Sequence, residues 1–243
     1  MKRLVAGPHA FVSKGVARRA LLVFADEIQV DLARRAFPKA ARPLLEIADL
    51  GANISGATDV HVFTSGKTAG PAGAFVHRQI GVGFRARFEH AIETLAGLGY
   101  DEIVAIGRDC PGLRASDVEH AFAELKGRKL VLGPDHRGGC YLIGFHAADR
   151  GLLRKVSWKR NTDCAQLRAR CEPTDILLLA IRLDLDSRSD VRLFARSDDR
   201  LARLAAFLVR VADAIAVAVV NFVSLASQQM RVRQQMPPPA FAA

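Results

Sequence analysis

Aromatic residues other than phenylalanine are scarce: 2 Tyr and 1 Trp accompany 13 Phe in 243 residues. A stacking surface of the type used by single-stranded nucleic-acid binders is therefore not expected. Cysteine is also sparse. Cys110, Cys140, Cys164 and Cys171 include no CxxC pair, and no His stands at zinc-site spacing beside them. At the N-terminus, Lys2 and Arg3 precede Val5-Ala6-Gly7-Pro8-His9, not the apolar run of a signal peptide. Free thiols in a reducing cytoplasm are the expectation. Basic residues form no contiguous block, so no nucleic-acid partner is expected. Neither GxGxxG nor GxSxG occurs, which argues against a dinucleotide site and an α/β-hydrolase. Gly66-Lys67-Thr68 looks like the end of a phosphate loop, but His61 stands where that loop needs its first glycine.

Half of the residues are apolar and a quarter are charged, which excludes global disorder. The length suits one domain of ordinary size with an extension. Lys and Arg number 35 against 25 acids, a formal charge of +10. That balance suits phosphate-bearing ligands or anionic lipid, or simply reflects a basic, Arg-rich proteome.

Along the chain, 1–19 reads as a basic lead-in. Ala20–Ala25 and Asp59–Thr64 read as strands, the first apolar enough to be buried on both faces. Between them, Pro38 and Pro43 break a stretch of helical composition from Val30 to Ile47. Ser65–Gly73 is a glycine-rich loop. A helix is expected over Phe84–Leu98, with Phe84, Phe88, Ala91, Ile92 and Leu95 on one face. Ile103–Ile106 is a strand, and Ser116 to Glu119 reads as a capping box opening a helix to about Lys126. Leu130–Leu132, Tyr141–Phe145 and Ile176–Leu183 read as strands, Thr162–Cys171 as a helix, and another helix starts near Ser189. Strands alternating with helices over 20–200 predict an α/β fold, a mostly parallel sheet with helices on both faces. Ligands in such sheets bind beyond the carboxyl ends of strands, so the loops after Ala25, Thr64, Gly107 and Leu132 are the candidate site.

Two segments carry the chemistry. Ile103 to Gly107 delivers Asp109 into the loop Arg108-Asp109-Cys110-Pro111-Gly112-Leu113. A carboxylate there is placed to hold Mg²⁺ against a diphosphate, or else to cap a turn before Pro111. In Gly133-Pro134-Asp135-His136-Arg137-Gly138-Gly139-Cys140-Tyr141, the paired glycines let backbone amides approach a ligand, or simply make a tight turn. Cys140 could be a nucleophile or a buried structural thiol.

Together these segments resemble the DUF2064 family, glycosyltransferase-A-like proteins also described as radical-SAM/selenodomain-associated transferases. Two further segments agree: Gln79 to Phe88, similar to the family's Q-x-G…R motif, and Asp184 to Val191, similar to its late D-x-D-T-P-x-D-L; Trp158 falls near the family's usual Trp. The resemblance implies a nucleotide-diphospho-sugar transferase fold. It also implies transfer of a sugar or a nucleotidyl group from a nucleotide or nucleotide-sugar, with Mg²⁺ or Mn²⁺, to an acceptor the motifs do not reveal. It carries Asp109 over as the nucleotide- or metal-binding carboxylate. Arg87, Gly138, Gly139, Tyr141 and Trp158 carry over as substrate-lining residues.

The chain also departs from the pattern. Where the family has a basic, glycine-containing loop after the first strand, this chain has Asp26-Glu27-Ile28-Gln29-Val30-Asp31. Three acids there are expected to repel a diphosphate unless a cation bridges them. Arg137 replaces the Asp of the family's D-G-G, and Cys140 replaces a Tyr. Asp135 could stand in for the lost carboxylate. Alternatively, Arg137 could fork onto phosphate oxygens in the metal's place, making binding metal-independent. A third possibility is a catalytically inactive relative that keeps the fold to bind a nucleotide or a partner protein.

From Leu201 the pattern changes. Leu201, Leu204, Leu208, Val211, Ile215, Ala218, Phe222 and Leu225 alternate three and four apart, an a/d seam. As a membrane span the stretch is about neutral: Arg210 and Asp213 each cost roughly 2.5–3.5 kcal/mol near a helix centre, and each large apolar residue returns roughly 0.3–0.6. The seam predicts a packed helix over 201–227, against the body or in a homodimer through 201–225, with peripheral membrane contact left open. Residues 228–243, with Pro237-Pro238-Pro239, read as a disordered tail.

Overall fold

The computed structural model of the chain describes residues 17–46, 58–66, 70–197 and 201–235. The lead-in up to residue 16, Lys67 and Thr68 of the glycine-rich loop, and the triple proline lie outside the described residues.

Seven strands form one sheet: β1 (Arg19–Phe24), β2 (Thr58–Thr64), β3 (Phe75–Arg78), β4 (Glu102–Ile106), β5 (Leu130–Pro134), β6 (Cys140–His146) and β7 (Ile176–Leu178), in the order β3-β2-β1-β4-β6-β5-β7. β6 runs antiparallel to both β4 and β5, and every other pairing is parallel. β1 sits between β2 and β4, with Leu22 level with His61 on one side and Ala105 on the other. This central place explains why its residues from Ala20 to Val23 are all fully buried.

The helices are α1 (Ile28–Arg34), α2 (Gly83–Gly97), α3 (Ala115–Glu124), α4 (Asp163–Arg168), α5 (Arg188–Phe194) and α6 (Ala202–Gln235), with 3-10 turns at Lys39–Leu45, Ala147–Leu153 and Pro173–Asp175. The pleat sends alternate strand residues to opposite faces. Leu22, Ile103 and Ile143 join Phe88, Ile92 and Leu95 of α2 on one face. Leu21, Val23, Val104 and Ile106 join Val118 and Phe122 of α3 on the other. The expected α/β architecture with helices on both faces is what the chain adopts.

Several local expectations are corrected. β3 lies in a stretch with no strand expectation. Its Phe75 and Val76 are exposed on a sheet edge, so it lacks the buried pattern that marks the others. α3 opens one residue before Ser116, and in place of the expected capping box Oδ2 of Asp117 accepts the Arg114 amide at 2.8 Å. β7 ends at Leu178 because from Leu179 the chain follows β5 only through isolated bonds, Leu179 to Leu132 and Arg182 to Pro134. α4 is shorter than expected, ending at Arg168.

The last helix, α6, extends to Gln235, past the expected end at 227 and into the stretch expected to be disordered. Its first turns dock: Ala205 and Leu208 join Leu32, Leu44, Leu45 and Phe194 in a third cluster, with Leu201 and Leu204 packed against it. Further along, the seam leaves the body, and Ile215 is 59% exposed. Among the described residues no helix is long and apolar enough to cross a membrane.

Candidate functional site

A cleft of about 500 Å³ opens over the carboxyl ends of β1 and β4. Its walls come from the chain after β1 (Asp26 to Arg35), Gln79 and α2, the β4 end (Gly107, Arg108, Asp109), the turn 135–141, the loop 158–163 and Asp184–Asp186.

Gln79 shows why the Q…R motif has its spacing. Its side-chain amide donates to the carbonyls of Ala25 and Phe63, at 3.0 Å each, tying the ends of β1 and β2 together. Its oxygen accepts from Arg87 at 2.7 Å, one helical turn into α2. Arg87 also reaches Asp26 at 3.2 Å. Beside it, Phe24, Phe84 and Phe88 form an aromatic wall completed by Trp158, whose ring meets Phe88 edge-on at 5.2 Å. The indole N–H of Trp158 has no hydrogen-bond partner. Lys159 stands over the Phe84 ring at 4.9 Å, and burial holds its ammonium below the usual lysine range. Lys155, Lys159 and Asn161 all adopt left-handed backbone (φ 60°, 60° and 57°), and Lys159 and Asn161 line the cleft.

The loop after β1 does not simply repel anions, because each cleft-facing acid has an arginine. Asp26 meets Arg34 and Arg87. Burial works against its charge, but Ser65, Arg34 and Arg87 hold its carboxyl below the usual range. Asp31, buried, meets Arg34 at 2.5 Å, Arg35 at 2.7 Å and Arg108 at 3.8 Å. The partners lie one turn along α1 or on other elements.

Arg35, just past the end of α1, is the centre of the site. It donates through Nε to the Leu185 carbonyl at 2.8 Å, through Nη1 to Asp31 at 2.7 Å and through Nη2 to Asp109 at 2.6 Å. Asp186 lies 3.8 Å away, and the Arg35 side chain is only 4% exposed. Burial pulls against its charge, but Asp109 and Asp31 outweigh burial and raise its pKa. The Asp184–Asp186 segment is brought in by the Leu185 amide, which donates to the Asp109 carbonyl at 2.7 Å. Burial, with Asp109, Asp135 and Asp186 nearby, pushes Asp184 up to about 9.

Of the residues singled out from the sequence, Asp109, Arg87 and Trp158 meet in the cleft. Asp135 reaches it, but its Oδ1 is held by the amides of Arg137 and Gly139 at 2.6 and 3.0 Å, which closes the turn. Gly139 lines the cleft; a Cβ there would strike Asp135. Gly138 does not line it: at φ +100° it packs against the Asn161 carbonyl behind the wall. Tyr141 borders the cleft with a ring that is 2% exposed, and its hydroxyl donates to the Ala180 carbonyl at 3.0 Å. Arg137 is at the rim, but its Nη2 is paired with Asp190. Cys140 lines the cleft, and its hydrogen bond to Cys164 and its burial raise the pKa of its thiol. Arg34, Arg35, Asp31, Lys159, Asp184 and Asp186 were not singled out as site residues. The D-x-D of the late motif signalled Asp184 and Asp186, and the acidic loop after β1 signalled Asp31.

A divalent ion fits these residues poorly. Asp109, the carboxylate expected to bind it, is bonded to a buried guanidinium. Among the described residues no group of three or more His, Cys, Asp or Glu side chains is arranged to hold a metal.

Residues 45–160 match the family DUF2064, described as "Uncharacterized protein conserved in bacteria". That span holds Asp109 and the glycine pair, so the resemblance seen in the motifs stands. A Desulfovibrio desulfuricans G20 protein, provisionally described as a nucleotide-diphospho-sugar transferase, superposes with a TM-score of 0.64 at 22% identity, over 82% of this chain and 96% of that one. A Mycobacterium tuberculosis H37Rv protein gives 0.55 at 16% identity, over 74% and 100%. A cytidylyltransferase from Leptospira borgpetersenii serovar Hardjo-bovis (strain JB197) gives 0.52 at 13% identity, over 83% and 96%. No curated protein matches the sequence. The fold is that of the nucleotide-diphospho-sugar transferases.

Proposed function

We propose that the cleft binds a nucleoside diphosphate or nucleotide-sugar and that the protein is a glycosyl- or nucleotidyltransferase-like protein. The observation that carries this is the set of groups lining the cleft. Arg34, Arg87, Arg108 and Lys159 stand there, with Asp26 and Asp31 among them, together with the aromatic wall of Phe24, Phe84, Phe88 and Trp158. Cations and ring faces together suit a nucleotide's phosphates and base. Asp135, Asp163, Asp184 and Asp186 line the same cleft. Oδ1 of Asp163 and Oδ1 of Asp184 are buried there without partners. Such oxygens suit the hydroxyls of a sugar or acceptor, since an unmet buried acceptor costs about 1–3 kcal/mol.

A second reading, a nucleotide binder without transferase activity, is favoured by one observation: Asp109 is held by Arg35 and so is not free for chemistry. Both readings place the ligand in the same cleft. A thermal-shift screen of nucleoside diphosphates and their sugar conjugates tests them. A ligand at 100 times its Kd adds about 2.7 kcal/mol of stability. A shift with any of them, reduced by Arg87→Ala, supports the reading; no shift across the panel contradicts it. Release of nucleoside diphosphate from a bound nucleotide-sugar, or of pyrophosphate from a bound nucleoside triphosphate, separates transferase from binder.

A further inference from the structure

We propose that Arg35 is a built-in counter-cation at Asp109 that takes the position of a divalent metal, so that phosphate ligands bind this cleft without one. The second half of this rests on the nucleotide reading above; the first half does not.

The argument is geometric. Mg²⁺ binds a carboxylate oxygen at about 2.0–2.1 Å and demands a near-octahedral shell of oxygens, and the larger Mn²⁺ likewise needs several oxygen ligands. The Oδ2 of Asp109 already accepts from Arg35 at 2.6 Å, and Asp186 lies 3.8 Å from the same Nη2. A dication shared by these two carboxylates would stand against a guanidinium that cannot lose its proton. Nor can Arg35 swing away. Three elements fix it: Asp31 from α1, the Asp109 loop after β4 and the Leu185 carbonyl before α5.

The same contacts make sense of the altered loop. Asp31 sits four residues before Arg35, on its own face of α1, and orients the guanidinium from behind. Acids in the loop after β1 and the arginine that meets Asp109 are thus parts of one arrangement. With Asp109 neutralised, phosphate charge falls to Lys159 and to Arg34 and Arg87, which already share Asp26; all three line the same cleft and are more exposed than Arg35.

Titration with Mn²⁺ alone, followed by its electron paramagnetic resonance signal, tests the proposal on the full chain. The unmutated protein and Arg35→Lys should show no Mn²⁺ binding that Asp109→Asn removes. Arg35→Gln should gain one such site, lost again in the Arg35→Gln, Asp109→Asn double variant. Binding of Mn²⁺ by the unmutated protein that Asp109→Asn abolishes overturns the proposal. So does a folded Arg35→Gln protein that binds no more Mn²⁺ than the parent. If Arg35→Gln does not fold, the unmutated protein against Asp109→Asn decides alone: equal, Asp109-independent signals uphold the proposal and a difference overturns it. No nucleotide is present, so failure of the nucleotide reading leaves this outcome intact.

Discussion

Arg137 donates through Nη2 to both carboxylate oxygens of Asp190, at 2.5 and 2.6 Å. The arginine that replaces the family's aspartate in the glycine turn is therefore tied to the first turn of α5. Asp190 also caps that helix, accepting the Ser187 amide at 2.7 Å, and it is buried. His136 approaches the same carboxylate at 3.3 Å.

Arg137→Ala should accordingly act on stability before binding. It leaves a buried carboxylate without its main partner. The cost expected for a pair in which the arginine is 30% exposed is about 2–4 kcal/mol, somewhat below that of a fully buried pair. Chemical denaturation measures it. A nucleotide affinity reduced tenfold or more with unchanged stability would instead make Arg137 a phosphate ligand.

Asp184 gives a pH signature. Burial, then Asp109, Asp135 and Asp186, raise its folded pKa to about 9 from an ordinary 3.8. For a raised pKa the contribution is fully present below the unfolded value. It is lost as pH rises through the window from about 4 to 9, because the unfolded chain ionises first. Asp184→Asn removes that loss. The variant should match the parent near pH 4 and melt higher at pH 8. Equal melting temperatures at both pH values would show that Asp184 ionises in the fold.

His61 gives the opposite slope. Burial and then His77 lower its pKa to about 4, and the ring is bonded to His77 and Tyr100 at 2.9 and 2.8 Å. The neutral ring is the folded form, so its contribution is present above 6.5 and fades as acid charges the unfolded chain between 6.5 and 4. Melting curves over this range should fall more steeply for the parent than for His61→Asn. Parallel curves would exclude His61 as the titrating group.

The exposed half of α6 is expected to pair with a second copy. Val211, Ile215 and Val219 continue the stripe that docks through Ala205 and Leu208, and they are exposed on a single chain. Ile215→Asp with Val219→Asp should halve the mass seen by light scattering without changing the melting temperature of the body. A monomeric parent chain would rule the pairing out.

The sheet was legible in the sequence where burial is continuous. β1, β2, β4 and α2 show unbroken apolar runs or one apolar face, because they face a core on one or both sides. β3 was not, since an edge strand with Phe75 and Val76 turned outward carries no inside-outside alternation. The strand-end Asp109 was legible from its motif, but its partner was not: Arg35 lies 74 residues away, and nothing local links them. For the same reason the acids of the loop from Asp26 to Asp31 read as repelling a diphosphate unless a cation bridges them. Their neutralisation depends on α1 placing Arg34 and Arg35 on the cleft side, and on Arg87 arriving from another helix. That Arg137 could fork onto phosphate was one of three readings, and its pairing with Asp190 is seen only in the fold.

The most direct measurement is calorimetric titration of the unmutated protein with the nucleoside diphosphate that shifts its melting temperature most, once with EDTA and once with Mn²⁺. With Arg35 at Asp109, the two titrations should give the same Kd within about twofold. Binding that appears only with Mn²⁺ and disappears in EDTA would contradict the assignment of Arg35 as the cation of this site.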